Sequence, residues 1–280
     1  MTPNEKYNYN TYSEEEYQRA YNAIYQYITT GRYTRAGKCA YVLGGQPGSG
    51  KSTFYSGNDA LSSYIAIDGD QYRKYHPKYE EIIANDFDNY PEHTQPFVNR
   101  IVEQLIDDLS SKGYDMIIEG TLRDPDVSIK TCDLLRGRGY LPRLVVVACD
   151  AEQSWKSTIS RAQLMRELGE RPRLVPINKY HTIVNSLPMS LDIIFHEQCF
   201  SSISVIGRDN SLLYRNGSGG NPADVLKNVL NLDNWNDRLE MYIDEYLDLK
   251  SDLIQTEGSV ANDGQESISC SHAEVWPCEH

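Results

Sequence analysis

The sequence lacks any run of about 18 apolar residues, so no transmembrane helix is expected. Residues 1–12 are polar and rich in Tyr and Asn, and they lack the basic and apolar regions of a secretory signal. The sequence therefore predicts a protein that remains in the cytoplasm and has no membrane partner.

Positive charge is scarce as well, because 27 basic residues face 40 acidic ones and give a formal net charge of -13. Phosphate backbones repel such an acidic chain, so nucleic acid is not expected as a partner. Cysteine occurs six times. Four of the cysteines stand singly in apolar or helical surroundings and are interpreted as buried free thiols, namely Cys39, Cys132, Cys149 and Cys199.

Short apolar runs alternate with amphipathic stretches along the chain. The runs cover residues 40–43, 64–67, 116–118, 144–148 and 203–206, and the clearest amphipathic helix is predicted over 96–109. Continuous apolar strands that alternate with helices are typical of a mainly parallel sheet with helices on both faces. The predicted fold class is therefore α/β, doubly wound.

Residues 1–255 are expected to form a single domain. Its first helix is predicted over 13–30, because Ser13 and Glu16 form a capping box, and its last helices are predicted within 222–253. Residues 256–280 show no periodicity and are interpreted as a disordered tail. The tail carries Cys270, His272, Cys278 and His280. Their spacing matches no common zinc module, so a zinc site is not the favoured interpretation.

The strongest motif follows the first apolar run and fits the pattern G-x-x-x-x-G-K-S/T. It consists of Gly45, Gln46, Pro47, Gly48, Ser49, Gly50, Lys51 and Ser52. Its glycines let backbone N–H groups point at phosphate oxygens, Lys51 reaches the β- and γ-phosphates, and Ser52 holds Mg²⁺. A helix after Ser52 is expected to add its N-terminal dipole. The motif predicts binding of ATP with Mg²⁺. The Asn-Lys-x-Asp signature of GTPases is absent, since Asn178-Lys179-Tyr180-His181 lacks the Asp.

Polar side chains follow the second and third apolar runs, where ligand groups lie in open α/β sheets. Asp70 follows the run 64–67 and could accept a proton from a hydroxyl that attacks the γ-phosphate, or it could only cap the next helix. Asp68 is interpreted as structural or metal-related. Glu119, Thr121 and Arg123 follow the run 116–118 and suit recognition of a sugar or nucleotide. Glu119 could equally act through Mg²⁺ and water.

A basic region interrupts the acidic chain after the fourth apolar run. Arg161 in a predicted helix and Arg173 in the loop 169–176 are interpreted as clamps on the γ-phosphate, as on the lids of small P-loop kinases. Arg166 and Arg171 are interpreted as solvated surface arginines.

Several segments together resemble the zeta toxin family of bacterial toxin–antitoxin systems. In order, they are 43–52, 67–70, His76-Pro77, Asn99-Arg100 with Glu103, 118–123, Arg161 and Arg173. The resemblance covers about residues 41–230. Several landmarks in the correct order are far more specific than the phosphate-binding loop alone.

The family phosphorylates the 3′-hydroxyl of the amino sugar in UDP-N-acetylglucosamine with ATP. The resemblance implies a P-loop kinase-like fold, a cytoplasmic toxin and a small antitoxin that covers the ATP site. It implies catalytic roles for Lys51, Asp70, Arg161 and Arg173, with Arg171 as the alternative for the last position. It also implies substrate-binding roles for Glu103, Glu119, Thr121 and Arg123. From its helical position alone, Glu103 would be interpreted as solvated.

Two other functions remain open from the sequence. A related P-loop kinase could phosphorylate another UDP-sugar, NAD, a nucleoside or an antibiotic. A nucleotide-dependent regulator without catalysis is the second alternative. Asp70 and the paired arginines argue against it, because a switch needs no base for an acceptor.

Overall fold

A computed structural model describes residues 8–34, 37–170 and 172–260, apart from the side chains of residues 88 and 252–260. The strands are β1 (Cys39–Gly44), β2 (Ile65–Ile67), β3 (Met116–Glu119), β4 (Leu141–Ala148), β5 (Ser202–Gly207) and β6 (Leu212–Arg215). The helices are α1 (Glu14–Thr29), α2 (Gly69–Tyr72), α3 (Tyr79–Asp86), α4 (Tyr90–Lys112), α5 (Pro125–Gly137), α6 (Ala151–Glu167), α7 (Ile177–Glu197), α8 (Pro222–Leu230), α9 (Leu232–Asp237) and α10 (Leu239–Val260).

The strands form one sheet in the order β2-β3-β1-β4-β5-β6. Strands β1 to β5 are parallel, and β6 pairs antiparallel with β5. The predicted α/β class with a mainly parallel sheet is confirmed. Because the parallel strands share one direction, the loops that follow β1, β2 and β3 leave the sheet at the same edge.

Alternation along β1 shows how the two faces of the sheet are buried. Ala40 and Val42 point into the large core beneath α1, α4, α5, α7 and α8. Leu43 points to the other face, where it packs with Phe54 and Leu61 from the segment after the phosphate-binding loop. The sheet is therefore buried on both sides, which explains its continuous apolar strands.

Helix α1 begins as predicted. Ser13 accepts from the backbone N–H of Glu16, and the Glu16 carboxylate accepts in return, which completes the capping box. Its tyrosines pack on α4, where the hydroxyl of Tyr17 donates to Gln104 Oε1 at 2.8 Å and that of Tyr21 donates to Asp108. The tyrosine stripe therefore has a packing role.

Helix α4 begins at Tyr90, six residues before the predicted start at 96. Pro96 lies inside the helix, where it removes one backbone donor. The boundary predicted at this proline is wrong, because α4 runs through Pro96, and the proline in the tolerated position at the start of the helix is Pro91. At the other end of the chain, α10 extends to Val260, beyond the predicted helical limit of 253. Residues 261–280, with their Cys and His residues, lie outside the described part.

The predicted burial of the thiols is confirmed for Cys132, Cys149 and Cys199, which are buried and free. Cys39 is also free but only half-buried, because it lies at the start of β1. No helix in the described ranges is long and apolar enough to span a bilayer.

Candidate active site

The phosphate-binding loop, residues 45–52, is held against α6. Gly48 has a φ of +77°, and a Cβ there would lie 2.1 Å from the carbonyl oxygen of Ser154. Gln46 is fully buried, and its amide Nε2 donates to Cys149 O at 2.7 Å and to Ser154 Oγ at 3.0 Å. The loop therefore needs glycine at position 48, and its curvature is set by α6 and the end of β4.

Two polar groups of the loop face inward. Lys51 Nζ donates to the carbonyl oxygens of Gly45 at 2.9 Å and Gln46 at 3.2 Å. Ser49 is fully buried, yet its Oγ has no hydrogen-bond partner. Buried hydroxyls are normally paired. An unpaired hydroxyl and an ammonium in a loop whose glycines have positive φ fit a polyphosphate.

The segment after the loop differs from the expectation. Lys51–Phe54 is a single turn of 3-10 helix and not the start of a longer helix. Ser52, Thr53 and Gly57 have low helix propensity, which explains the short turn. The predicted helix dipole therefore does not strengthen this site. A phosphate bound here would contact the N–H groups of the loop and Lys51.

Carboxylates surround Lys51 on one side. Burial lowers the pKa of the Lys51 ammonium, and Glu119, Asp70 and Asp68 oppose that shift. Asp68 follows β2 and caps α2, accepting from the backbone N–H of Asp70 at 3.1 Å. Asp68 thus has the structural role expected, which leaves Asp70 free of the capping role that was its alternative.

Asp70 is paired with a cation. Its carboxylate Oδ1 accepts from Arg73 Nε at 2.9 Å, while the side chain remains 59% exposed. Enclosure by protein raises the pKa of Asp70, but the guanidinium groups of Arg73 and Arg173 outweigh that effect and hold it below its ordinary value. Asp70 is therefore ionised at neutral pH, as a proton acceptor must be.

Arg73 fixes this carboxylate to helix α4. Its side chain is only 11% exposed. Beyond Asp70, Nη1 donates to Pro91 O and Thr94 Oγ1, both at 2.9 Å, and Nη2 donates to Gln95 Oε1 at 2.8 Å. Such a saturated guanidinium has little freedom, so the position of Asp70 is set by the first turns of α4.

Glu119 ends β3 beside Asp68 and Asp70. Its Oε1 accepts a hydrogen bond from the hydroxyl of Tyr55. Burial raises the pKa of Glu119 and Asp68 raises it further, while Tyr55 and Lys51 act in the opposite direction. Glu119 is thus close enough to Lys51 and Asp70 to interact with both.

The other predicted acceptor residues lie on the loop after β3. Thr121 is half-buried and Arg123 is exposed. Between them Leu122 adopts a left-handed φ of 56° and packs against Gly44, so the loop is folded back onto β1. A left-handed conformation at a residue other than glycine costs roughly 1–3 kcal/mol of folding free energy, and such residues are concentrated at functional sites. The loop places Thr121 and Arg123 near the end of β3.

Two arginines predicted as clamps lie within electrostatic reach of each other and of Asp70. Arg161 lies in α6 and Arg173 follows it in the loop before α7. Partial enclosure lowers the pKa of Arg161, the charge of Arg173 lowers it further, and Asp70 opposes both. Among the described side chains, neither arginine has a hydrogen-bond or ion-pair partner. Arg171, the alternative for Arg173, lies outside the described residues.

The resemblance placed Glu103 at the acceptor side. It is exposed on α4, and within the described ranges it has no hydrogen-bond or ion-pair partner. Arg73 and Tyr55 were not predicted from the sequence. Arg73 lies three residues after Asp70, a spacing at which side chains meet on a helix, and this signal could have identified it. No local signal identifies Tyr55, because its partner is 64 residues away.

The residues of the loop fit a bound nucleotide. The unpaired Ser49 hydroxyl, the inward Lys51 ammonium and the crowded Gly48 fit a triphosphate. Ser52 is exposed at the mouth of the loop, where its hydroxyl could bind Mg²⁺. The described residues contain no group of three His, Cys, Asp or Glu side chains suited to a metal ion.

The parallel sheet and the loop after its central strand β1 define a P-loop, kinase-like α/β protein. Within that class the chain belongs to the zeta toxin family, whose family model, Zeta toxin, matches residues 25–218. This confirms the family expected from the sequence.

Similar proteins agree with the family model. A toxin zeta of Streptococcus pyogenes is 29% identical over 227 residues, which cover 79% of this chain and 78% of that protein. Toxin PezT of Streptococcus pneumoniae serotype 4 is 32% identical over 223 residues, covering 78% and 88%. A solved structure of the PezAT chromosomal toxin–antitoxin system of S. pneumoniae matches with a TM-score of 0.71 and 31% identity, covering 79% of this chain and 89% of that one.

Proposed function

We propose that the protein is an ATP-dependent kinase that phosphorylates the amino-sugar 3′-hydroxyl of UDP-N-acetylglucosamine. The observation that carries the proposal is the pair Arg161 and Arg173, which repel each other and have no anionic partner bonded to them in the described ranges. Two cations held together in this way form a site for an anion. Asp70 lies within electrostatic reach of both, which supports a proton acceptor beside a bound phosphate.

The residues divide the work of phosphoryl transfer. When bound, ATP supplies the γ-phosphoryl group and Mg²⁺ neutralises charge on the phosphates. Backbone N–H groups of residues 45–52 and Lys51 bind phosphate oxygens, while Asp70 accepts the proton of the attacking hydroxyl. Arg161 and Arg173 stabilise negative charge that grows at the transferred group.

The acceptor assignment is supported by the carboxylates and by the family. Glu119, together with Thr121 and Arg123 on the adjoining loop, offers an acceptor, a hydroxyl and a guanidinium. This set suits the hydroxyls of a sugar and the phosphates of a nucleoside diphosphate. Glu103 is assigned to the same side from the family resemblance.

The test is incubation of purified protein with ATP, Mg²⁺ and a panel of acceptors: UDP-N-acetylglucosamine, other UDP-sugars, NAD and nucleosides. Mass spectrometry locates the added phosphate, and Asp70→Asn is the inactive control. We expect one phosphate on the amino sugar of UDP-N-acetylglucosamine. If only NAD or a nucleoside gained phosphate, the kinase activity would be supported and UDP-N-acetylglucosamine would be rejected as the acceptor. If the protein bound ATP but transferred phosphate to no acceptor, the alternative function of a nucleotide-dependent regulator without catalysis would be favoured.

We also infer that the protein acts as a toxin that a small partner protein must neutralise. The PezAT structure belongs to a toxin–antitoxin system, and an enzyme that drains a cell-wall precursor would harm its own host. The expected antitoxin covers the ATP site near Lys51. Expression of the wild-type protein without its antitoxin should arrest growth of the cells, and expression of the Lys51→Ala variant should not. Equal growth of cells that express either protein would reject the toxin function.

A further inference from the structure

Tyr55 connects the phosphate-binding loop to the acceptor side of the cleft. It follows the 3-10 turn Lys51–Phe54, and its backbone N–H donates to Ser52 O at 3.3 Å. Its ring is half-buried against the second face of the sheet, and its hydroxyl donates to Glu119 Oε1. The side chain therefore spans from the loop that follows β1 to the end of β3.

The direction of this hydrogen bond is fixed by the chemistry of the two groups. Burial and the negative charge of Glu119 raise the pKa of Tyr55, so the phenol keeps its proton and donates. Donation from Tyr55 opposes the rise in the pKa of Glu119 that burial causes. A hydrogen bond to the charged form stabilises that form. Tyr55 thus favours an ionised Glu119.

The same bond restricts the carboxylate to one orientation. Oε1 is occupied by Tyr55, while Oε2 has no hydrogen-bond partner among the described residues. With Oε1 held by Tyr55, Oε2 is the oxygen of Glu119 whose lone pairs are both free for a ligand hydroxyl. Without Tyr55, Glu119 could rotate toward Lys51, which lies within electrostatic reach.

We propose that Tyr55 is a positioning residue that orients Glu119 to accept a hydrogen bond from a hydroxyl group of the acceptor sugar. The inference rests on the proposed function, because it requires an acceptor that binds beside Glu119. It adds a specificity-determining contact on the chain segment immediately after the nucleotide loop. The ring itself remains in the core.

The test compares Tyr55→Phe with Tyr41→Phe. Tyr41 packs in the same cluster, but its hydroxyl accepts from Arg143, which lies opposite it on β4. Loss of a hydrogen bond to a charged group is expected to raise the acceptor KM about tenfold in Tyr55→Phe, with the KM for ATP unchanged. Tyr41→Phe should change neither KM.

A double-mutant cycle with Glu119→Ala assigns the effect. In the Glu119→Ala background, Tyr55→Phe should no longer change acceptor affinity, because the carboxylate it orients is gone. Additive effects, or an unchanged acceptor KM in Tyr55→Phe while wild type transfers phosphate, would overturn the inference. Failure of wild type to phosphorylate any acceptor would instead overturn the proposed function. The melting temperature of each variant shows whether it folds.

Discussion

Replacement of Asp70 by Asn isolates the proposed proton acceptor. Asn has the same shape, and its Oδ1 can still accept from Arg73 Nε, which lies 2.9 Å from the carboxylate. The side chain therefore stays in place but can no longer take a proton. Loss of a positioned general base is expected to lower kcat by about 100-fold or more. Because the Asp70 side chain is 59% exposed, loss of its ion pair should change the free energy of unfolding by no more than about 1 kcal/mol.

The assay measures kcat from ADP release at saturating acceptor and measures ATP affinity by calorimetry, which should be close to that of wild type. Asp68→Asn is the matched control, because it removes a neighbouring negative charge while Asn caps a helix as well as Asp. Its kcat should fall much less. If Asp70→Asn kept the wild-type kcat, another group would have to accept the proton. If both variants lost activity equally, local negative charge and not a base would be the cause.

Three further perturbations test the neighbouring cations. Arg73→Gln removes a charge that lowers the pKa of Asp70, so the acid limb of the pH profile of kcat/KM should move to higher pH. An unmoved limb would show that Arg73 does not control the protonation of the catalytic base. Arg161→Ala should lower kcat more than it raises the acceptor KM, whereas Arg166→Ala, on the exposed last turn of α6, should do neither. Lys51→Ala should abolish transfer in the ADP-release assay while the protein stays folded, and residual turnover near wild type would contradict its assigned role.

Features with local signals could be predicted from the sequence. The phosphate-binding loop is contiguous, the capping box of α1 needs only Ser13 and Glu16, and buried parallel strands are continuous apolar runs. The fold class followed from these. Asp70 and Glu119 could be proposed as site residues because each follows a strand. The carboxyl ends of parallel strands lie at one edge of the sheet, so residues that are distant in sequence are brought together there.

Features that depend on tertiary contacts could not be predicted. Strand β6 is short and only Tyr214 in it is buried, so it has no clear alternation. It pairs with β5 through a turn in which Asp209 accepts from the backbone N–H and hydroxyl of Ser211. The early start of α4 depends on contacts with Arg73, which donates to Pro91 and Thr94. Propensity alone cannot foresee such contacts.

The candidate site is rich in positive charge, whereas the molecule as a whole is negatively charged. The chain carries a net charge of -13, which repels both ATP and a sugar nucleotide. Within the cleft, Lys51, Arg73, Arg161 and Arg173 gather around Asp70. Arg73 is already saturated by α4, so it positions the base and cannot bind a ligand. Arg161 and Arg173 have no hydrogen-bond or ion-pair partners in the described ranges; the charge of Asp70 offsets part of their mutual repulsion, and a bound anion would relieve it further. Under the proposed kinase function, this local positive charge would favour a bound phosphate in spite of the overall negative charge.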